Sequence, residues 1–262
     1  MLLTLCHNRI MVWQFIKRSI QLQHKGSAFG IGWMVLSPLL LFGVYVLVFM
    51  FVFKGKYGAI PNETPLDFAI GLFLSLTLIQ LIQETMAGAP LCILQNPNYV
   101  KKVVFPLEIL PVVNFGAAFL RCLVALSLVL IAVVVSGPGL TPLVCWLPVL
   151  VLMFSLFSMG VAWILAALGV FMRDLAPFMQ FLTQILAFVS GVFYSHNNLP
   201  AEFSFLRFNP IMVVIELSRD VVLWHVDPDV GSLVYLGVVS CLTCVVGYAL
   251  FSALKPAFAD VV

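Results

Sequence analysis

Charge is what this sequence most lacks. Only 9% of its 262 residues are Asp, Glu, Lys or Arg, against about 25% in ordinary soluble domains. With 63% hydrophobic residues and a mean hydropathy of +1.13, a soluble fold would expose apolar patches that water does not tolerate. A cytosolic enzyme, a nucleic-acid binder and a disordered chain are thereby excluded. An integral membrane protein remains.

Reactive constellations are missing as well. His7, His24, His196 and His225 are scattered and make no HExxH or Cys/His ligand set. No GxSxG occurs, and the nearest approach to a phosphate loop, Gly55-Lys56, lacks the preceding glycine spacing and the following Ser or Thr. No catalytic residue and no metal site is assigned, and the chain is not expected to hydrolyse ATP itself. Six cysteines lie mostly within apolar runs, where a thiol behaves as a small hydrophobe. Cys241 and Cys244 have no second pair to complete a metal site. Residues 1–6 lack the basic flank and the apolar length of a signal sequence.

Long apolar runs, by contrast, are plentiful. A spanning helix needs about 20 mainly apolar residues, and six stretches qualify: 34–53, 68–91, 112–135, 145–171, 177–194 and 233–254. These predict an all-α membrane domain over the whole chain, with both termini on one side. On that side lie Arg9, Lys17, Arg18, Lys25, Lys101, Lys102, Arg173 and Lys255; the other side holds Lys54, Lys56, Arg207 and Arg219. The excess of basic residues marks the terminal side as cytoplasmic.

Two segments are apolar enough to touch the membrane and too charged to cross it. In 10–24, Ile10, Trp13, Ile16, Ile20 and Gln23 recur at helical spacing among Arg9, Lys17, Arg18 and Lys25. This predicts an interfacial helix, with a plain basic flank as the alternative. In the outer connection 195–232, Glu216, Arg219 and Asp220 share one helical face. Short re-entrant helices or an ordinary loop both accommodate them.

Glu84 and Arg121 fall inside spans, where ionisable groups are functional suspects. A structural pair, snorkelling to headgroups and a relay all stand open. Phe42, Tyr45, Phe49 and Phe53 form one aromatic stripe in the first span; Phe178, Phe181 and Phe188 recur similarly in the fifth. Such stripes line a glycan path or simply pack against lipid and core.

Several short motifs occur in a definite order. They are Lys25-Gly26-Ser27, Gly30, Gly32-Trp33, Ser37-Pro38-Leu39 and Val100-Lys101-Lys102-Val103-Val104-Phe105-Pro106, followed by Arg173-Asp174-Leu175, Phe193-Tyr194, Leu199-Pro200, Asn209-Pro210 and Arg219-Asp220. With the tail from Leu254-Lys255 to Phe258-Ala259-Asp260, the sequence resembles the membrane subunit of bacterial polysaccharide ABC exporters of the type-2 permease fold, most of all O-antigen exporters. The resemblance implies a homodimer joined to two copies of an ATPase subunit that carries ATP and Mg, with no cofactor on this chain. It implies docking through residues 9–25 and 95–110, hence Asn96, Tyr99, Lys101 and Lys102, with Arg173 and Asp174 at the next cytoplasmic turn. It places the first and fifth spans along the pathway of a polyprenyl-pyrophosphate-linked glycan in the inner membrane. Lys17, Arg18 and Lys25, with Lys101 and Lys102, are then candidates for a basic cytoplasmic gate. Within this fold, capsular glycans, teichoic acids and drugs are rival cargoes. An ion-driven carrier is a more distant alternative, and no repeat relates the two halves of the chain.

Overall fold

The computed structural model describes residues 8–23, 25–53, 56–58, 63–101, 105–136, 139–195 and 200–261. Every regular element among them is helical, as hydrocarbon demands, because a helix satisfies its backbone N–H and C=O groups within one segment. Helix α1 (Arg9–Gln23) precedes α2 (Trp33–Val46), which opens on a 3-10 turn and continues as a π-helix, Leu47–Phe53. Then come α3 (Pro65–Gly88), the short α4 (Pro97–Lys101), α5 (Ile109–Ser136), α6 (Leu147–Phe171) and α7 (Leu175–Val189). A 3-10 segment, Ala201–Phe208, leads to α8 (Pro210–Arg219), which passes through a π-turn to α9 (Val230–Leu254) and α10 (Phe258–Val261).

Among the described residues five segments are long and apolar enough to cross a membrane: Gly30–Phe49, Pro65–Leu91, Ile109–Ser136, Pro142–Phe171 and Val230–Ala257. The expected span 177–194 is different. It is helical only over Leu175–Val189, 15 residues, or about 22 Å against a hydrocarbon core of about 30 Å. The helix stops because the chain turns at Ser190 and Gly191, the latter at φ +67°, a conformation that side chains other than glycine rarely adopt.

Helix α3 is the most enclosed of the long apolar helices and touches α2, α5, α6, α7 and α8. A capping box starts it: the Asp67 amide donates to Thr64 Oγ1 at 3.2 Å, and the Thr64 amide donates to Asp67 Oδ2 at 2.9 Å. Its buried hydroxyls turn back on their own helix, Ser75 donating to the Gly71 carbonyl at 2.6 Å, Thr77 to Phe73 at 2.8 Å and Thr85 to Leu81 at 2.6 Å. An apolar surrounding therefore meets no unpaired hydroxyl there.

Helices α6 and α9 form the most extensive pair. Gly160 and Gly247 let their backbones meet: a Cβ on Gly160 would strike the Thr243 carbonyl, and one on Gly247 would strike the Gly160 carbonyl. Close approach through small residues is how membrane helices gain contact where lipid removes the hydrophobic drive. The ends of the bundle are distinct. Phe15 of α1, Tyr99 of α4 and Phe258 of α10 all belong to the end that carries both termini. Tyr57, Gly191 and Arg219 meet at the far end.

A valine at Gly160 or Gly247 is expected to lower thermal stability in detergent, by about 1–3 kcal/mol if the backbones separate. Gly43→Val, where a Cβ meets nothing, is the control and should melt like the parent.

Candidate functional site

At the terminal end, aromatic rings join elements distant in sequence. Phe15 lies 5.8 Å from Tyr99 and 5.7 Å from Phe105, and Tyr99 stacks on Phe105 at 4.7 Å. Helix α1 is thus tied to α4 directly. Below, Ile16 and Ile20 are buried with Ala117 of α5. Ile10 and Trp13, expected on the same face, stay exposed. The C-terminal segment closes the platform: Phe258 packs edge-on to Phe251 at 5.4 Å, and Lys255 Nζ sits 2.8 Å from Glu108 Oε1. Asn96 donates to the Cys92 carbonyl at 2.8 Å, shaping the turn into α4. Lys17, Arg18, Lys25, Arg173 and Asp174 are exposed around this platform. Lys102 lies outside the described residues, as do the side chains of Lys101 and Phe53. Phe105 belongs to the Val100-to-Pro106 motif, whereas Phe15 and Glu108 fall inside the expected docking segments without a signal of their own.

Deeper, Glu84 of α3 and Arg121 of α5 form an ion pair, with Arg121 Nε donating to Glu84 Oε2 at 2.7 Å and Nη2 to the same oxygen. Arg121 Nη1 also donates to Gln23 Oε1 of α1 at 2.6 Å, and Gln80 donates to Glu84 Oε1 at 2.9 Å. Of the readings open from sequence, pairing is the one seen, and it reaches α1 as well. The pair lines a half-open cavity of about 640 Å³ between α1, α2, α3 and α5.

The far end holds a buried charge. Arg219 is 2% exposed, while Glu216 and Asp220, expected on the same face, are partly exposed. Its guanidinium lies 4.2 Å over the Tyr57 ring and donates from Nη2 to the Gly191 carbonyl at 2.9 Å. Tyr57 in turn donates to the Val192 carbonyl at 2.8 Å; burial pushes its phenol above the ordinary value. Buried Glu63 accepts the amides of Tyr57 at 2.6 Å and Gly58 at 2.7 Å. Asn209 caps α8 through the Ile211 amide at 3.0 Å and reaches Ser190 Oγ at 3.2 Å. The turn that ends α7 is therefore clamped by α8 and by the connection before α3. Helical periodicity showed which residues share a face, not which way that face points, so Arg219 and Tyr57 were missed.

The two aromatic stripes differ. Phe42 stacks on Phe73 at 4.7 Å, and Phe49 tilts against Phe68 at 5.3 Å; with Tyr45 they are half-buried against the core around α3. Phe178, Phe181 and Phe188 are 55%, 61% and 67% exposed, an open aromatic face on α7. Among the described residues no three His, Cys, Asp or Glu gather as metal ligands.

A helical bundle with five helices long and apolar enough to cross a membrane among the described residues is the architecture of a multi-pass membrane protein. The model of the ABC-2 type transporter family matches residues 11–223, and the chain belongs to that family. Among its relatives, the O-antigen export system permease protein RfbA of Klebsiella pneumoniae is 25% identical over 93% of this chain and 92% of its own. The protein of that name from Myxococcus xanthus is 26% identical over 96% and 95%. The polysialic acid transport protein KpsM of Escherichia coli is 31% identical, over 39% of this chain and 41% of its own.

Arg219→Leu is expected to destabilise the far end by about 2–3 kcal/mol. In a double-mutant cycle with Tyr57→Leu, measured by unfolding in mixed detergent, the pair should couple by about 1–2 kcal/mol.

Proposed function

We propose that this chain is the membrane subunit of an ATP-driven exporter of lipid-linked polysaccharide in a bacterial inner membrane, working as a homodimer with two copies of a separate ATPase. The observation that carries this reading is the platform at the terminal end. There α1, α4 and the C-terminal segment share one aromatic and apolar cluster, with Lys17, Arg18, Lys25, Arg173 and Asp174 exposed around it. A second protein docked on α4 pushes on α1 through Phe15, and on α5 through Ile16 and Ile20, so that a nucleotide-driven displacement reaches the spans as a rigid movement. The basic excess at this end supports a cytoplasmic location for it and for both termini.

Short as it is, α7 runs from that end to the Tyr57–Arg219 clamp and serves as the fifth of six crossings. Its open Phe178, Phe181 and Phe188 face lines the pathway of a glycan, whose CH groups stack weakly on rings along its length. Helix α2 buries none of its residues within the chain, leaving a surface for the second copy. O-antigen is the preferred cargo, because relatives named for it align end to end, while the polysialic acid relative aligns over 39% of the chain. Lys17, Arg18 and Lys25 attract the pyrophosphate of the carrier at the cytoplasmic gate.

Co-expression with a nucleotide-binding subunit should yield a stable complex. Phe15→Ala with Tyr99→Ala should keep the fold and lower glycan-stimulated ATP hydrolysis at least about tenfold, a coupling of about 1.4 kcal/mol. Phe181→Ala with Phe188→Ala should leave the complex intact and reduce export of glycan. Normal export in that variant would remove the pathway assignment, and failure of any nucleotide-binding subunit to associate would remove the function.

A further inference from the structure

The cavity beside Glu84 and Arg121 includes neither the ring cluster of the terminal platform nor the open Phe178, Phe181 and Phe188 face, and its lining is unusual in three ways. First, among the described residues its charged side chains are that one acid and that one base, both partly exposed. Second, neither is saturated. A guanidinium has five N–H donors, and three of these groups' contacts go to Glu84 and Gln23; a carboxylate has about four acceptor positions, and Glu84 Oε1 receives Gln80 alone. Third, the α2 wall opposite is mainly apolar, through Trp33, Met34, Pro38 and Leu41.

We propose that this cavity binds a membrane glycerophospholipid whose headgroup is a zwitterion with a primary amine, the ammonium on Glu84 and the phosphate on Arg121. A wall of zero net charge matches a ligand of zero net charge. An anionic headgroup would gain Arg121 and meet Glu84, and a simple cation would do the reverse. A primary ammonium has three N–H donors to share between the Glu84 carboxylate and the Gln80 amide oxygen. A quaternary ammonium has none, and it is recognised instead by an aromatic cage, for which the cavity supplies one ring, Trp33. The start of an acyl chain lies along Met34, Pro38 and Leu41 while the remainder stays in the bilayer. A volume of about 640 Å³ is within the roughly 300–1,000 Å³ of small-ligand sites. The bound lipid bridges α2 to α3 and α5, beside the Gln23 end of α1, and this role does not depend on which cargo the protein exports.

The test is native mass spectrometry of the whole transporter taken from nanodiscs of equal phosphatidylethanolamine, phosphatidylcholine and phosphatidylglycerol. One phosphatidylethanolamine per chain should be retained, enriched about tenfold over phosphatidylcholine. Glu84→Gln should erase that preference. Ser37→Trp, which fills the cavity from α2 and leaves the ion pair in place, should abolish retention without lowering thermal stability. Equal retention of the two neutral lipids, preference for phosphatidylglycerol, or unchanged retention in Ser37→Trp would each overturn the proposal.

Discussion

Hydrocarbon offers no hydrogen bonds, and nearly every polar feature of this protein is arranged around that constraint. The most enclosed of the long apolar helices, α3, carries three hydroxyls that bond to their own backbone one turn earlier. Glu84 and Arg121 neutralise each other across α3 and α5. Arg219 meets the same demand at the far end with a ring face and a carbonyl instead of an acid. A buried charge is tolerated when its partners are already in place, so each of these groups fixes the positions of the helices that supply its partners.

Those fixed points lie at different depths. At the terminal end, rings connect α1 and α4; in the middle, Arg121 connects α5 to α3 and α1; at the far end, Arg219 and Asn209 hold the turn after α7. Helix α7 is held also by Gln83 of α3, which donates to the Thr183 carbonyl at 2.6 Å, and one of its faces remains open. The helix is thus secured at its end and along one side, with bulky rings exposed on the other. The polar link from α1 to α3 passes through one side chain, Arg121 of α5.

The helical, membrane-spanning class was legible because composition and runs of about 20 apolar residues depend only on the solvent the chain must enter. Five of the six stretches became long helices, beginning or ending within about three residues of their expected limits. The sixth was overestimated because 177–194 is apolar throughout, and hydropathy does not register a turn that depends on Gly191 adopting a positive φ. Glu84 and Arg121 were identifiable as exceptions in apolar runs. That they meet, and that Gln23 joins them, follows from helix rotation and depth, which no local pattern contains.

The aromatic stripes show the same division. Spacing placed Phe42, Tyr45 and Phe49 on one face and Phe178, Phe181 and Phe188 on another, and both statements hold. Only packing decided that the first set presses on Phe68 and Phe73 while the second stands open. Likewise Glu216, Arg219 and Asp220 share a face by sequence, yet Arg219 is buried because Tyr57, from a connection 162 residues earlier in the chain, arrives to cover it. What the sequence alone determined is the solvent, the helices and the scarcity of charge. What the tertiary structure decided is where each charge and ring points, because partners come from distant helices whose rotation is set by close packing rather than by any local preference.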